Sequence, residues 1–141
     1  MKRNAAAVWK GDIKRGAGQI STESGALKNA QYSFGTRFEK AEGTNPEELL
    51  AAAHAGCFSM ALSLMLTNAG VTPERIDTTA TVTIEPDGDG FTIKGIHLDV
   101  HARIPGVDPA VFKKAAENAK TGCPVSKLFN APITMETRLN A

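Results

Sequence analysis

No formal charge occurs from Leu49 to Leu66, and the apolar side chains of this stretch would fall on every side of a helix. Asn45 suits the N-cap, Glu48 can close a capping box onto it, and Gly70 suits the left-handed residue after the last turn. We therefore predict one helix roughly 34 Å long. A membrane span is the alternative, but the many Ala, Gly and Ser residues favour a central helix in a soluble fold.

Alternating apolar and polar positions predict strands on both sides of this helix. The predicted strands are Ala5–Lys10, Gly18–Thr22, Gln31–Phe38, Thr79–Glu85, Phe91–Ile104 and Ile133–Leu139. Asp87–Gly90 is a strong hairpin turn. The apolar residues change from odd-numbered to even-numbered positions at Lys94-Gly95, which predicts a β-bulge there.

A second helix should begin at the Asp108-Pro109 cap and end near Thr121, and a short turn of helix should follow Cys123-Pro124. The order strands, helix, hairpin, helix, strand predicts an α+β fold. In it, a mainly antiparallel sheet packs on the long central helix and on the second helix.

The 141 residues are enough for a single domain, residues 1–141, with its own core. The net charge of +1 gives no electrostatic reason to expect nucleic acid or an anionic membrane surface as a partner. The apolar run near Trp9 is too short for a signal peptide, so we expect a cytoplasmic protein. In a reducing compartment two cysteines are not expected to form a permanent structural disulfide, which leaves two buried thiols, a metal-binding pair or a redox couple.

Cys57 lies in the middle of the apolar helix, whereas Cys123 lies where the backbone N–H groups of the next helix could stabilise a thiolate. Burial as a small apolar side chain is the simplest role for Cys57. His54 shares its helical face, so these two residues and Cys123 could supply three zinc ligands, without an obvious fourth. A hydrolytic Cys–His pair is a further alternative, although no glycine-rich segment offers an evident oxyanion hole.

Four motifs occur in order along the chain, with an opening segment at Trp9–Gly16. They are Thr36–Phe38, Gly43–Leu49, Ala53–Ala61 and Gly122–Ser126. Together they resemble the OsmC/Ohr family of thiol peroxidases, and the osmotically inducible OsmC branch more than the organic-hydroperoxide-resistance branch. The resemblance spans essentially the whole chain.

The resemblance implies that Cys57 is the peroxidatic cysteine and Cys123 the resolving cysteine. It implies that Arg37 activates the thiolate, with Glu47 as the carboxylate partner of that arginine. It further implies an intertwined homodimer with shared sites, hydroperoxide substrates, and a dithiol reductant such as a lipoylated protein. No cofactor, metal, nucleic acid or membrane partner is expected.

Physical chemistry supports these roles independently. A buried thiol is mostly protonated at neutral pH, so Cys57 would need a permanent cation such as Arg37. Glu47 lies ten residues before Cys57, about 15 Å along a straight helix, so we expect the partner subunit to contribute Glu47 to the site. Glu48 is expected to be structural.

The apolar neighbours of Cys57 would favour an organic hydroperoxide over hydrogen peroxide; they are Phe58, Met60 and Leu62. The leading hypothesis is a peroxidase of oxidative and osmotic stress defence. It would act through a Cys57 sulfenic acid and a Cys57–Cys123 disulfide. The alternative is a zinc-binding or redox-sensing protein that uses His54, Cys57 and Cys123 without turnover.

Overall fold

A computed structural model describes all of residues 1–141, which form two compact units, Met1–Leu49 and Leu50–Ala141. The elements in chain order are β1 (Ala5–Lys10), β2 (Ala17–Thr22), β3 (Ala30–Tyr32), α1 (Phe34–Phe38), α2 (Pro46–Asn68), β4 (Arg75–Asp87), β5 (Gly90–Arg103), α3 (Pro109–Gly122), α4 (Pro124–Leu128) and β6 (Ile133–Leu139). The mixture of helices with two separate three-stranded sheets confirms the predicted α+β class.

The first unit is built on an antiparallel sheet in the order β1-β2-β3, which confirms the first two predicted strands. Gly18 pairs with Tyr32 across this sheet. A Cβ atom on Gly18 would clash with the Tyr32 ring and with the backbone oxygen of Val8, so only glycine fits there. The ring of Tyr32 in turn packs on Trp9, with 5.6 Å between ring centroids.

The prediction of one strand over Gln31–Phe38 is wrong beyond Tyr32, because the chain turns into the short helix α1. Ser33 and Thr36 form a capping box, in which each side chain accepts a hydrogen bond from the backbone N–H of the other residue. These local bonds favour a helix start over strand pairing. Phe34 and Phe38 fit strand alternation, but their spacing of four also stacks them on one helical face.

Helix α2 begins and ends near the predicted residues. The Asn45 side chain accepts from the backbone N–H of Glu48 at 2.8 Å, whereas the Glu48 carboxylate accepts from the Thr44 hydroxyl, so only half of the predicted capping box forms. At the other end Gly70 has φ +79°. The Gly70 N–H donates to the Thr67 carbonyl, and the Val71 N–H donates to the Leu66 carbonyl. This is a Schellman ending.

The expectation that α2 is buried on every side does not hold within one chain. One face, formed by His54, Phe58, Leu62 and Leu66, is buried. On the other face the Met60 side chain is 78% exposed. Length and composition alone would let this helix cross a membrane, but the core helix of a soluble protein meets the same criteria, so this is weak evidence.

The second unit contains the sheet β4-β5-β6. Strands β4 and β5 form the predicted antiparallel hairpin, and the predicted bulge is confirmed, since Thr83 pairs with Gly95 and Ile84 with Ile93. Strand β6 pairs with β5 in parallel, an exception to the mainly antiparallel arrangement. The bulge shifts the pleat so that the apolar face of β5 points into the core.

Helix α3 closes the core of this unit and leads to the second cysteine. The Asp108 side chain accepts from the Ala110 backbone N–H at its start. Four of its residues are buried with one face of α2 and the even-numbered positions of β5: Phe112, Ala115, Ala116 and Ala119. After Gly122, Cys123 is both the C-cap of α3 and the N-cap of the one-turn helix α4, which confirms the predicted turn of helix after Cys123-Pro124.

Candidate active site

The two cysteines face each other between α2 and the start of α4. Both are free thiols, and the Cys123 Sγ lies 2.8 Å from the Cys57 Sγ. Cys123 is completely buried in the core, whereas Cys57 is half-buried. The sulfur that can be reached from outside is therefore that of Cys57, and the second sulfur lies directly behind it.

Burial and hydrogen bonds shift the pKa of the Cys57 thiol in opposite directions. Burial raises the pKa of Cys57, and the hydrogen bond that it shares with the Cys123 sulfur raises it further, whereas a hydrogen bond from the Val125 backbone amide lowers it. Val125 is the second residue of α4, so its amide is one of the unsatisfied donors at the helix N-terminus.

This arrangement corrects one expectation. An amide at the N-terminus of α4, where we expected stabilisation of a Cys123 thiolate, donates to the Cys57 sulfur instead, and the Cys123 side chain makes no capping hydrogen bond. The physical reason is tertiary, because packing of α4 on α2 directs the free amide toward the sulfur of another element. In the sequence, Pro124 indicates that a helix starts there. It does not indicate which atom accepts hydrogen bonds from the amides of that helix.

His54 and Ser126 make a second contact between the same two helices. The His54 Nε2 lies 2.7 Å from the Ser126 Oγ, and both residues are buried. The Phe129 ring packs against the His54 ring edge to face, and burial lowers the pKa of His54. No group of three or more His, Cys, Asp or Glu side chains is placed to hold a metal ion, and His54 engages a hydroxyl instead.

Arg37 and Glu47 form an ion pair within the first unit. The Arg37 Nε and Nη2 lie 2.9 and 2.8 Å from the same oxygen of Glu47, Oε1. The carboxylate side chain is 8% exposed and the guanidinium side chain 39% exposed. The pair leaves the Arg37 Nη1 available for another acceptor, while the Glu47 Oε2 is buried without a hydrogen-bond partner.

An apolar cavity of about 240 Å³ adjoins Arg37 in the first unit. Its lining includes Trp9, Ile13, Tyr32, Phe34 and Phe38. The Arg37 guanidinium also lies over the Phe38 ring, 5.2 Å from its centroid. The permanent positive charge therefore lies at the edge of a mostly aromatic pocket.

The predicted apolar wall beside Cys57 is wrong for two of its three residues. Phe58 and Leu62 are fully buried in the core, whereas Met60, three residues after Cys57 and so on the same side of α2, is exposed. Phe58 directly follows Cys57, and consecutive residues of a helix point in different directions.

The structure thus brings together the predicted residues in two pairs. The cysteines belong to the second unit, and Arg37 with Glu47 belongs to the first. Sequence reasoning missed the amide of Val125 and the hydroxyl of Ser126. The spacing of three between Cys123 and Ser126, equal to that between His54 and Cys57, was the available signal for the hydroxyl.

Known proteins resemble this chain over most of its length. Residues 39–138 match the model of the OsmC family, described as OsmC-like protein. Peroxiredoxin OsmC of Escherichia coli is 53% identical over 135 residues, which are 96% of this chain and 94% of that protein. The organic hydroperoxide resistance protein-like 1 of Staphylococcus epidermidis is 36% identical over 98 residues, which are 67% of this chain and 69% of that protein.

A similar fold occurs in a solved structure, that of the organic hydroperoxide resistance protein OhrB of Bacillus subtilis. The two chains superpose with a TM-score of 0.70 at 23% identity, over 96% of this chain and 98% of the other. On the family match and the 53% identity across nearly its whole length, this chain belongs to the OsmC family.

Proposed function

We propose that this protein is a cysteine-based peroxidase that reduces organic hydroperoxides, and also hydrogen peroxide, in defence against oxidative stress. The enzyme class and the stress role are supported by relatives named peroxiredoxin and organic hydroperoxide resistance protein. The single observation that carries the mechanism is the 2.8 Å separation of the Cys57 and Cys123 sulfur atoms. A resolving thiol must lie that near if a sulfenic acid is to be trapped as a disulfide.

In the first step, the Cys57 thiolate attacks the terminal oxygen of the hydroperoxide and the O–O bond breaks. The sulfur is oxidised to a sulfenic acid, and the alkoxide takes a proton and leaves as an alcohol. The Val125 amide supports the thiolate, but it is opposed by burial. A guanidinium held near the sulfur would complete the activation and stabilise the developing alkoxide.

In the second step, the Cys123 sulfur attacks the Cys57 sulfenic acid. An S–S bond forms, the S–O bond breaks, and the hydroxyl leaves as water with the proton of the Cys123 thiol. An external dithiol then reduces the disulfide by exchange and is itself oxidised to a disulfide. We propose a lipoylated protein of the cytoplasm as this dithiol.

The preference for an organic peroxide is supported by the aromatic cavity beside Arg37. An apolar R group would be removed from water there, which hydrogen peroxide cannot exploit. The substrate wall is therefore assigned to the first unit and not to the neighbours of Cys57.

A homodimer with shared sites is supported by two observations. The apolar face of α2 is open in one chain, where Met60 is 78% and Leu64 55% exposed and a Cβ on Gly56 would meet no atom within 4 Å. In addition, Arg37 and Glu47 pair within one chain at the start of an unbroken α2, about 15 Å from the level of Cys57. We propose that both residues together serve Cys57 of the partner subunit.

The test is turnover of cumene hydroperoxide with dithiothreitol or a lipoylated protein as reductant. We expect Cys57→Ser to abolish the reaction with peroxide. We expect Cys123→Ser to consume one equivalent of peroxide and to form no intramolecular disulfide. The matched pair separates the two sulfurs because each variant removes only one of them.

Two outcomes would contradict the proposal. If peroxide oxidises the wild-type protein once and the protein then does not consume dithiol catalytically, the protein is a redox sensor. Stoichiometric zinc in the purified protein, lost in Cys57→Ser, would indicate the metal-binding alternative.

A further inference from the structure

Two side-chain contacts join α4 to α2, and only one of them is used in the proposed reaction. Cys123 meets Cys57, and Ser126 meets His54 at 2.7 Å. On each helical segment the two partners are three residues apart and therefore share a face. We call these two contacts the ladder. Its inner step is the contact between the two cysteines, and its outer step is the hydrogen bond between His54 and Ser126, which have no assigned role in the reaction.

The outer step, the hydrogen bond between His54 and Ser126, is buried away from solvent. His54 is 0% and Ser126 6% exposed, and the Nδ1 atom of His54 is buried without a partner. Because these groups have no access to water, breaking the Nε2–Oγ bond would leave two more polar atoms unsatisfied. The bond is therefore a firm link between the helices.

Helix α4 depends on such a link. It has only five residues, too few to be stable by itself, and the Leu128 side chain at its end is 75% exposed. Yet this segment carries both groups that act on the Cys57 sulfur. Cys123 directly precedes it, and the Val125 amide belongs to its first turn.

We propose that His54 and Ser126 are positioning residues for the resolving step, because their hydrogen bond fixes α4 on α2 and keeps the Cys123 sulfur within reach of the Cys57 sulfenic acid. This inference rests on the proposed function. The step that they promote forms the S–S bond, breaks the S–O bond of the sulfenic acid and releases water, as given above. Neither residue touches the peroxide or the reacting oxygen in this assignment.

The positioning has a thermodynamic consequence that needs no peroxide. A fixed Cys123 has a high effective concentration toward Cys57, which stabilises the disulfide against reduction. When α4 is loosened, the disulfide should become easier to reduce. A tenfold loss of effective concentration corresponds to about 30 mV in the reduction potential of a two-electron couple.

The experiment uses the full-length Ser126→Ala protein. Equilibration in thiol–disulfide buffers should give a reduction potential about 30 mV less negative than that of the wild type. In single turnovers with cumene hydroperoxide, a sulfenic-acid trapping reagent should capture Cys57 in the variant, whereas the wild type proceeds to the disulfide. Lys127→Ala, on the exposed side of the same helix, is the matched control and should behave like the wild type.

A second pair of variants isolates the hydrogen bond from packing. His54→Gln can place an amide group near the former Nε2, whereas His54→Leu is similar in size and cannot bond to Ser126. We expect Gln to retain most of the wild-type potential and Leu to shift it like Ser126→Ala. If Ser126→Ala does not fold, this pair decides.

The proposal is wrong if Ser126→Ala or His54→Leu forms the disulfide at the wild-type rate with an unchanged potential. It is also wrong if Gln and Leu at position 54 shift the potential equally. Failure of the proposed function looks different. In that case the wild type would not react with the peroxide, while the potentials would still report whether the ladder holds the two sulfurs together.

Discussion

The two predicted pairs of functional residues differ in how the fold holds them. In the second unit the half-buried thiol of Cys57 meets the fully buried thiol of Cys123, which lies 66 positions later in the chain. Arg37 and Glu47 belong to the first unit, are ten positions apart, and leave the guanidinium 39% exposed at the edge of an apolar cavity. One pair is complete within its own core, and the other presents a charge outward.

This difference indicates a division of labour. The thiol pair has what trapping requires, namely proximity and exclusion of water, but burial raises the pKa of Cys57 and opposes formation of the nucleophile. The Arg37–Glu47 pair has what activation requires, a fixed positive charge with an unused N–H group. In the proposed mechanism both pairs are required, so experiments that separate or recombine them are the most informative.

Exchange of subunits should show the largest effect. We expect Arg37→Met to lower kcat/KM by about 100-fold, the typical loss of one key charge-stabilising donor. Refolding an equal mixture of Arg37→Met and Cys57→Ser chains should restore roughly a quarter of wild-type activity, because half of the dimers are mixed and each has one intact shared site. Steady-state turnover of cumene hydroperoxide measures both.

The control is a mixture of Cys57→Ser with Cys123→Ser chains. Both cysteines belong to the same chain at each site, so no combination of subunits regenerates an intact thiol pair and activity should stay absent. The proposed sharing of sites between subunits is contradicted if activity recovers in this control mixture. It is also contradicted if activity does not recover in the mixture of Arg37→Met with Cys57→Ser chains.

A smaller effect is expected for Glu47→Gln. The amide can still accept from Arg37, but the charge-assisted bond at 2.8 Å becomes a weaker neutral one and the guanidinium is less firmly held. We expect kcat/KM to fall about tenfold, equivalent to about 1.4 kcal/mol in activation free energy. Glu48→Gln, one residue away at the helix cap, is the control, and an equal loss there would refute the specific role of Glu47.

The smallest effect concerns stability against acid. Burial holds the pKa of His54 below its ordinary value of 6.5. As the pH falls through 6.5, the unfolded chain takes up a proton at His54 before the folded chain does, so the free energy of unfolding decreases. Urea unfolding from pH 7.5 to pH 5 should show this decrease in the wild type and a shallower one in His54→Gln; equal slopes would contradict it.

Much of the fold could be predicted because its signals are local. The ends of α2 follow from Asn45 and Gly70, and the bulge follows from the change of parity around Gly95. The error over Gln31–Phe38 arose because a spacing of four residues fits a strand and a helix equally well. The Ser33–Thr36 capping bonds decided between them.

For the candidate site, the identities of Cys57, Cys123, Arg37 and Glu47 came from motifs, and their catalytic roles stay predictions. The pairing of Arg37 with Glu47 inside one chain, and the Val125 amide on Cys57, were not readable from the sequence. Such contacts depend on how elements pack, and no local pattern encodes the distance between two helices.

The sequence by itself determined where helices and strands begin, which faces are apolar and which residues can do sulfur chemistry, because these properties depend on neighbours a few positions apart. The tertiary structure alone decided that the two sulfurs meet at 2.8 Å, that a helix amide reaches Cys57, and that His54 and Ser126 form a hydrogen bond between the same two helices. Those facts depend on the folded core bringing together residues 66 and 72 positions apart, where only packing sets the distance.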